Sequence, residues 1–254
     1  MVIMNNELKI QASWKVELVD GVIKLYNYQE LFESYSTAKT YNCTVMDDLC
    51  EICGLRNPCY QNSNHENLQY VDGVFQIGFY SNKVTLSKLR TFKNDFLTKH
   101  TQNLEHLSKY GLPLSMAMYL IIEKYYPDLF EADLIVPIPS FLNEGESIKK
   151  GMVLAKNLSE IFERNGTKSK YENCLKKVTK VSAQRLAERG TPYDERFEKL
   201  TESFQLFDGV DVSGKKILLV DDILTSGLTA GICAKILKDN GAEIVWVFVA
   251  GRSF

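Results

Sequence analysis

Ile217-Leu218-Leu219-Val220-Asp221-Asp222-Ile223-Leu224-Thr225-Ser226-Gly227-Leu228-Thr229 decides how this chain reads. Four apolar residues run into two adjacent carboxylates. A short hydroxyl-rich loop with one glycine follows. Gly227–Asn240 then reads as a helix, stopped by Gly241. A continuous apolar strand that opens into a helix belongs to a parallel sheet, because such strands are covered on both faces.

In an open α/β sheet, ligands bind beyond the carboxyl ends of the strands. Residues 225–229 lie where a helix begins, so free backbone N–H groups and the positive helix end attract an anion. Gly227 permits close approach and unusual dihedrals. The hydroxyls of Thr225, Ser226 and Thr229 can donate to phosphate oxygens. Charge-assisted bonds contribute about 1.5–3 kcal/mol each, so several together hold a phosphate firmly. Asp221 and Asp222 would repel that phosphate on contact; they suit vicinal ribose hydroxyls or a cation. A sugar 5-phosphate whose ring hydroxyls reach back to the acids satisfies both halves. An ordinary strand followed by a Ser/Thr-capped helix explains either feature alone, but not both in this order.

Working outward, short apolar strands alternate with helices. Leu134–Ile138, Leu175–Val181, Lys216–Val220 and Ile244–Ala250 read as strands. Val84–Phe96, Leu114–Tyr126 and Glu146–Arg164 carry helical spacing. The first 80 residues read as β-rich. Trp14–Val19 and Val22–Asn27 flank Asp20-Gly21, a hairpin signal, and Tyr70–Tyr80 suggests a second strand-turn-strand with Asp72-Gly73 at its turn. A soft boundary near residue 70 divides a β-rich 1–70 module from a 71–254 α/β domain.

The chain has 254 residues, 45% apolar and 24% charged, with a formal charge of -2, the proportions of a globular protein. That balance argues against nucleic-acid binding by bulk positive charge. No apolar run approaches the ~18 residues of a membrane helix. The start, MVIMNNELKI, does not read as a secretory signal, so the cytoplasm is the expected location. No GxGxxG, GxSxG or HExxH occurs, and Gly214-Lys215-Lys216 lacks the glycine spacing of a Walker loop.

Four of the six cysteines, Cys43, Cys50, Cys53 and Cys59, fall within 17 residues. In a reducing compartment such a cluster suggests metal before disulfide, and four thiolates would close a structural zinc shell. Partly buried cysteines and redox chemistry stay open as alternatives. His65 lies close enough to substitute as a ligand, although a surface histidine explains it equally simply. Cys174 and Cys233 read as small core residues.

Between Gly166 and Arg189 seven basic residues (Lys168, Lys170, Lys176, Lys177, Lys180, Arg185, Arg189) stand against Glu172 and Glu188. Three readings are open: cations aimed at a leaving pyrophosphate, an edge strand protected by lysines, or a strip for single-stranded nucleic acid. The segment 184–196 reads as a mobile loop able to close over a ligand, or as an ordinary surface loop.

The stretch 217–229 resembles, position by position, the phosphoribosyl-diphosphate (PRPP) signature of type I phosphoribosyltransferases. The wider layout is similar to the ComF family of competence-associated, amidophosphoribosyltransferase-like proteins. It has the cysteine cluster, then Val136-Pro137-Ile138-Pro139-Ser140, then Gln184 through Arg196 to Phe204, then the loop. Lys150-Gly151 stands where that family usually has Arg-Gly. The resemblance implies a type I phosphoribosyltransferase-like parallel sheet flanked by helices, with a small β-rich zinc-binding N-terminal module.

It further implies that Asp221 and Asp222 hold the ribose hydroxyls, with a role as base open, and that Ile223, Leu224, Thr225, Ser226, Gly227, Leu228 and Thr229 complete the PRPP loop. Residues 225–229 would wrap the 5-phosphate, and the turn at Pro139 and Ser140 would receive the pyrophosphate. The implied reaction is transfer of 5-phosphoribosyl to a small nitrogenous acceptor with release of pyrophosphate. Mg²⁺ would accompany PRPP, and Zn²⁺ would be structural. A non-catalytic, PRPP-sensing ComF-like protein, acting with single-stranded DNA or a helicase partner, is the alternative. Oligomeric state is open.

Overall fold

The computed structural model describes residues 7–10, 14–19, 22–27, 41–44, 50, 52, 62–80, 104–141 and 150–253. The first part is a four-stranded antiparallel sheet in sequential order, β1 (Glu7–Ile10), β2 (Trp14–Val19), β3 (Val22–Asn27) and β4 (Tyr41–Thr44). The β2 and β3 bounds match the hairpin read around Asp20-Gly21, with Val19 opposite Val22. The expected helix at 84–96 lies outside the described residues.

A short helix, α1 (Asn62–Asn67), leads into β5 (Gly73–Tyr80). The long helix α2 (Leu104–Tyr125) precedes β6 (Leu134–Pro137), α3 (Lys150–Arg164) and β7 (Lys170–Tyr171). Next come the two-stranded hairpin partners β8 (Leu175–Lys177) and β9 (Phe204–Leu206), with α4 (Ala183–Glu188) and α5 (Tyr193–Thr201) between them. β10 (Lys216–Leu224), α6 (Leu228–Asp239) and β11 (Ile244–Ser253) close the chain.

The main sheet has the order β5-β11-β10-β6-β7, and every pairing in it is parallel. β10 is therefore central, which explains its uninterrupted apolar run: Ile217, Leu218, Leu219 and Val220 are all 0% exposed. Burying four such side chains contributes roughly 6–12 kcal/mol before chain entropy is counted. The middle of α2 is apolar on every side and buried from Met116 to Ile122. It packs against α3, where Ser115 Oγ donates to the Leu154 carbonyl at 3.2 Å. Phe162 of α3 meets Phe130 and Tyr119 in edge-on ring contacts.

Four expectations change. The Asp72-Gly73 turn does not join two strands. Asp72 stands just before β5 and beside β11, its N–H donating to Val245 O at 2.8 Å and its Oδ2 accepting from Val245 N at 2.7 Å. β10 runs past the acidic pair to Leu224, because pairing with β11 continues to Leu224 opposite Arg252. The strand expected at 175–181 ends at Lys177. The expected loop at 184–196 is largely helical. Ser182 caps α4 by accepting from Arg185 N at 3.4 Å, while Pro192 precedes α5 with Asp194 and Glu195 in its first turn.

Candidate functional site

The connection after β6 leads through α3 to β7 on one side of the sheet, and that after β10 leads through α6 to β11 on the other. Adjacent strands whose connections leave in opposite directions open a crevice at their carboxyl ends, where α/β sheets bind ligands. A cavity of about 230 Å³ lies there. Its walls are Ile138, Pro139, Ser140 and Phe141 after β6, and Asp221 with residues 223–230 at the end of β10 and start of α6. Lys177 from β8 and Ala183 from α4 close it.

The structure thus brings Pro139 and Ser140 onto the same cavity as Asp221, Ile223, Leu224, Thr225, Ser226, Gly227, Leu228 and Thr229. Asp222 is not among the lining residues. Of the two acids, Asp221 is the one on the cavity wall. Each carboxylate also accepts a backbone hydrogen bond from the next residue: Asp221 Oδ1 from Asp222 N at 2.8 Å, Asp222 Oδ1 from Ile223 N at 2.7 Å. Gly151, in the first turn of α3, lies so close that a Cβ there would sit 3.3 Å from Asp221 Oδ1.

Thr225 and Ser226 are exposed at the mouth of the cavity. Gly227 is the N-cap of α6 with φ of 82°, a left-handed conformation that glycine adopts without strain. A Cβ there would also meet the Leu68 side chain at 2.8 Å. Leu68 is fully buried, so the segment after α1 is packed directly beneath the loop. This support was not visible in the sequence, because Leu68 and Gly227 are remote along the chain and carry no shared pattern.

Of the seven basic residues between Gly166 and Arg189, Lys177 lines the cavity. Burial lowers its pKa from the ordinary lysine value. Its Nζ stands 4.9 Å from the centre of the Phe204 ring, whereas Lys176 lies over Phe207 instead. Behind the cavity, burial raises the thiol pKa of Cys233, and burial with the nearby Glu172 charge raises that of Cys174 to about 12. Both act as inert core thiols.

Of the cysteine cluster, Cys50 is described: it is buried, with Sγ 3.5 Å from His65 Nε2. Cys43 belongs to β4, its side chain undescribed, and Cys53 and Cys59 lie outside the described residues. Among the described residues no group of three or more His, Cys, Asp or Glu could hold a metal ion. Nor is any described helix long and apolar enough to cross a membrane.

No family model matches the chain. The ribose-phosphate pyrophosphokinase of Pyrococcus abyssi (strain GE5 / Orsay) is 30% identical over 192 residues, 72% of this chain and 61% of its own length. The enzyme of the same name from Pyrococcus furiosus is 25% identical over 185 residues, 72% of this chain and 62% of its own. The orotate phosphoribosyltransferase of Pyrococcus abyssi is 44% identical over 45 residues, 18% of this chain and 25% of its own. The chain therefore spans about three fifths of the length of the two pyrophosphokinases it matches. The chain is thus similar to two ribose-phosphate pyrophosphokinases and, over a short stretch, to an orotate phosphoribosyltransferase, and none of these three relatives is named as a ComF protein.

Proposed function

We propose that the protein binds PRPP at the β10–α6 crevice and transfers its 5-phosphoribosyl group to a small nitrogen nucleophile, releasing pyrophosphate. The observation that carries this reading is the convergence of Asp221, residues 223–230 and the Pro139-Ser140 turn on one cavity. Residues 225–229 would hold the 5-phosphate and Asp221 a ribose hydroxyl. Ser140 and Lys177 face the same space, and Lys177 would offset charge developing on the departing pyrophosphate. The chemistry then needs no protein nucleophile: catalysis is positioning plus electrostatic stabilisation.

Magnesium fits this site, since it binds through one or two carboxylates together with substrate phosphates, and Asp221 supplies a carboxylate on the cavity wall. When bound, it would neutralise pyrophosphate charge. Structural zinc on the cysteine cluster, with the ComF relationship it suggests, also stands as a proposal. Cys50 Sγ and His65 Nε2 are 3.5 Å apart. That is close to the separation of about 3.5 Å between sulfur and nitrogen ligands on one tetrahedral zinc. It keeps His65 as a substitute candidate for one of the four cluster thiolates, Cys43, Cys50, Cys53 and Cys59.

The test is calorimetric titration with PRPP and Mg²⁺, followed by a pyrophosphate-release screen over nucleobases and amines. No PRPP binding refutes the proposal. Tight binding without pyrophosphate release favours a sensing role, in which single-stranded DNA or a helicase would be the partner to try. The pyrophosphokinase relatives favour a second reading, pyrophosphate transfer onto ribose 5-phosphate. Product formation from ribose 5-phosphate and ATP distinguishes it.

A further inference from the structure

Two side chains outside 217–229 hold the loop from beneath. Arg252, near the end of β11 and in register with Leu224, is the largest fully buried side chain among the described residues, at 0% exposed. Its Nη1 donates to the carbonyl oxygens of Leu224 at 3.0 Å, of Thr225, and of Ser253 at 2.6 Å. Asn67, the last residue of α1, is 5% exposed, and its Nδ2 donates to the Ser226 carbonyl at 2.7 Å. Three successive carbonyls, that of Leu224 at the end of β10 and those of Thr225 and Ser226 in the loop, are thus held by side chains far apart along the chain.

The consequence follows from peptide geometry. In a planar trans peptide, the C=O of one residue and the N–H of the next point in opposite directions. Drawing the carbonyls of 224, 225 and 226 toward Arg252 and Asn67 turns the N–H groups of Thr225, Ser226 and Gly227 the other way. Those three residues line the cavity. Successive N–H groups aimed into one concavity bind anions. Arginine suits this position, because Nη1 alone carries two N–H donors that the three carbonyls share, and the group keeps its charge at any ordinary pH. That charge also adds to the positive potential under the loop.

We propose that Arg252 and Asn67 are positioning residues that preorganise residues 225–227 as the subsite for the 5-phosphate. This deepens the PRPP reading and rests on it for the identity of the anion. Neither residue touches the reacting atoms; each acts through the orientation of peptide groups.

The test uses the full chain, ribose 5-phosphate as probe, calorimetry for affinity, and amide ¹H–¹⁵N spectra for the three N–H groups. In the wild type, ribose 5-phosphate should move the amide protons of Thr225, Ser226 and Gly227 downfield. Arg252→Met should weaken binding roughly ten- to a hundredfold and abolish the shifts at Thr225 and Ser226, the loss expected when a hydrogen bond to a charged group goes. Arg252→Lys, which keeps the charge with a shorter reach, should recover part of the affinity. Asn67→Asp keeps the shape but sets a carboxylate against the Ser226 carbonyl, and should lose the Gly227 shift first. If Arg252→Met does not fold, Arg252→Lys and Asn67→Asp decide the matter.

Variants that bind within about twofold of wild type, with all three shifts intact, overturn the positioning roles and leave the PRPP reading standing. A wild type that binds ribose 5-phosphate but not PRPP, with the variants weakened as described, upholds the positioning roles and removes the transfer reading. A wild type that does not bind ribose 5-phosphate overturns both.

Discussion

Gly231→Ala should destabilise this protein, against the usual sign of that substitution. Gly231 lies inside α6, its N–H donating to Gly227 O at 2.8 Å. In an ordinary helix interior the change gains about 1 kcal/mol. Here the new Cβ would fall 1.6 Å from the carbonyl oxygen of Asn67 and 2.8 Å from its carbonyl carbon, where ordinary contact begins at 3.4 Å. The obstacle is backbone on both sides, so no rotamer relieves it. The end of α1 must retreat by roughly 1.8 Å, which over-packs or strains its surroundings at about 1–3 kcal/mol. The same retreat breaks the 2.7 Å bond from Asn67 to Ser226, a further cost of about 1 kcal/mol. The losses exceed the helix gain by about 1–3 kcal/mol. At roughly 2–4 °C per kcal/mol for a domain of this size, thermal unfolding should fall by about 2–12 °C. Ribose 5-phosphate affinity should fall with it, because Asn67 no longer reaches the loop. Thermal melts and calorimetry on wild type and variant supply both readouts. A variant more stable than wild type, binding ribose 5-phosphate normally, would show that α1 does not pack on α6 as described.

Other outcomes follow from the same geometry. Asp221→Asn should weaken PRPP binding more than Asp222→Asn, since only Asp221 lines the cavity; equal losses in calorimetry would contradict the assigned facing. Lys177 should make PRPP affinity fall on the alkaline side earlier than an ordinary lysine would, because burial lowers its pKa. Lys177→Arg should carry that affinity to higher pH, and pH profiles of the two proteins that coincide would remove Lys177 from the anion site. The stability sign is opposite. A lowered folded pKa means the buried charge costs stability below that pKa, and the cost fades as pH rises from the folded value to the unfolded one. Lys177→Met should therefore gain stability at neutral pH and lose that gain in alkali, which urea titrations at the two pH values would reveal. Cys174 and Cys233, both buried with raised thiol pKa values, should escape iodoacetamide in the native protein and react only after unfolding. Peptide mass mapping checks this, and rapid native labelling of either would contradict their burial.

Much of the architecture was legible because it depends on local patterns. Asp20-Gly21 between two β-forming runs predicts the β2–β3 hairpin, and the apolar run 217–220 predicts a doubly covered strand. The helices α4 and α5 overlap 184–196, which reads as a loop in the sequence although their starts carry local signals. Ser182, Pro192 and the acids Asp194 and Glu195 mark two helix starts, and the Gly190 and Pro192 that suggest a loop only separate them. The extension of β10 to Leu224 is of another kind. Strand length there is set by hydrogen bonding to β11, not by the hydrophobicity of β10 itself.

The order of residues alone therefore determined the parallel α/β class and the hydroxyl-rich loop between strand and helix, since both are written in contiguous residues. Tertiary structure alone decided which residues serve that loop. Pro139, Ser140 and Lys177 reach the cavity from other strands and hairpins, only one of the two acids faces it, and Asn67, Leu68 and Arg252 support the peptide groups from below. The physical reason is that anion binding depends on the direction of backbone dipoles, and those directions are set by contacts between segments far apart along the chain.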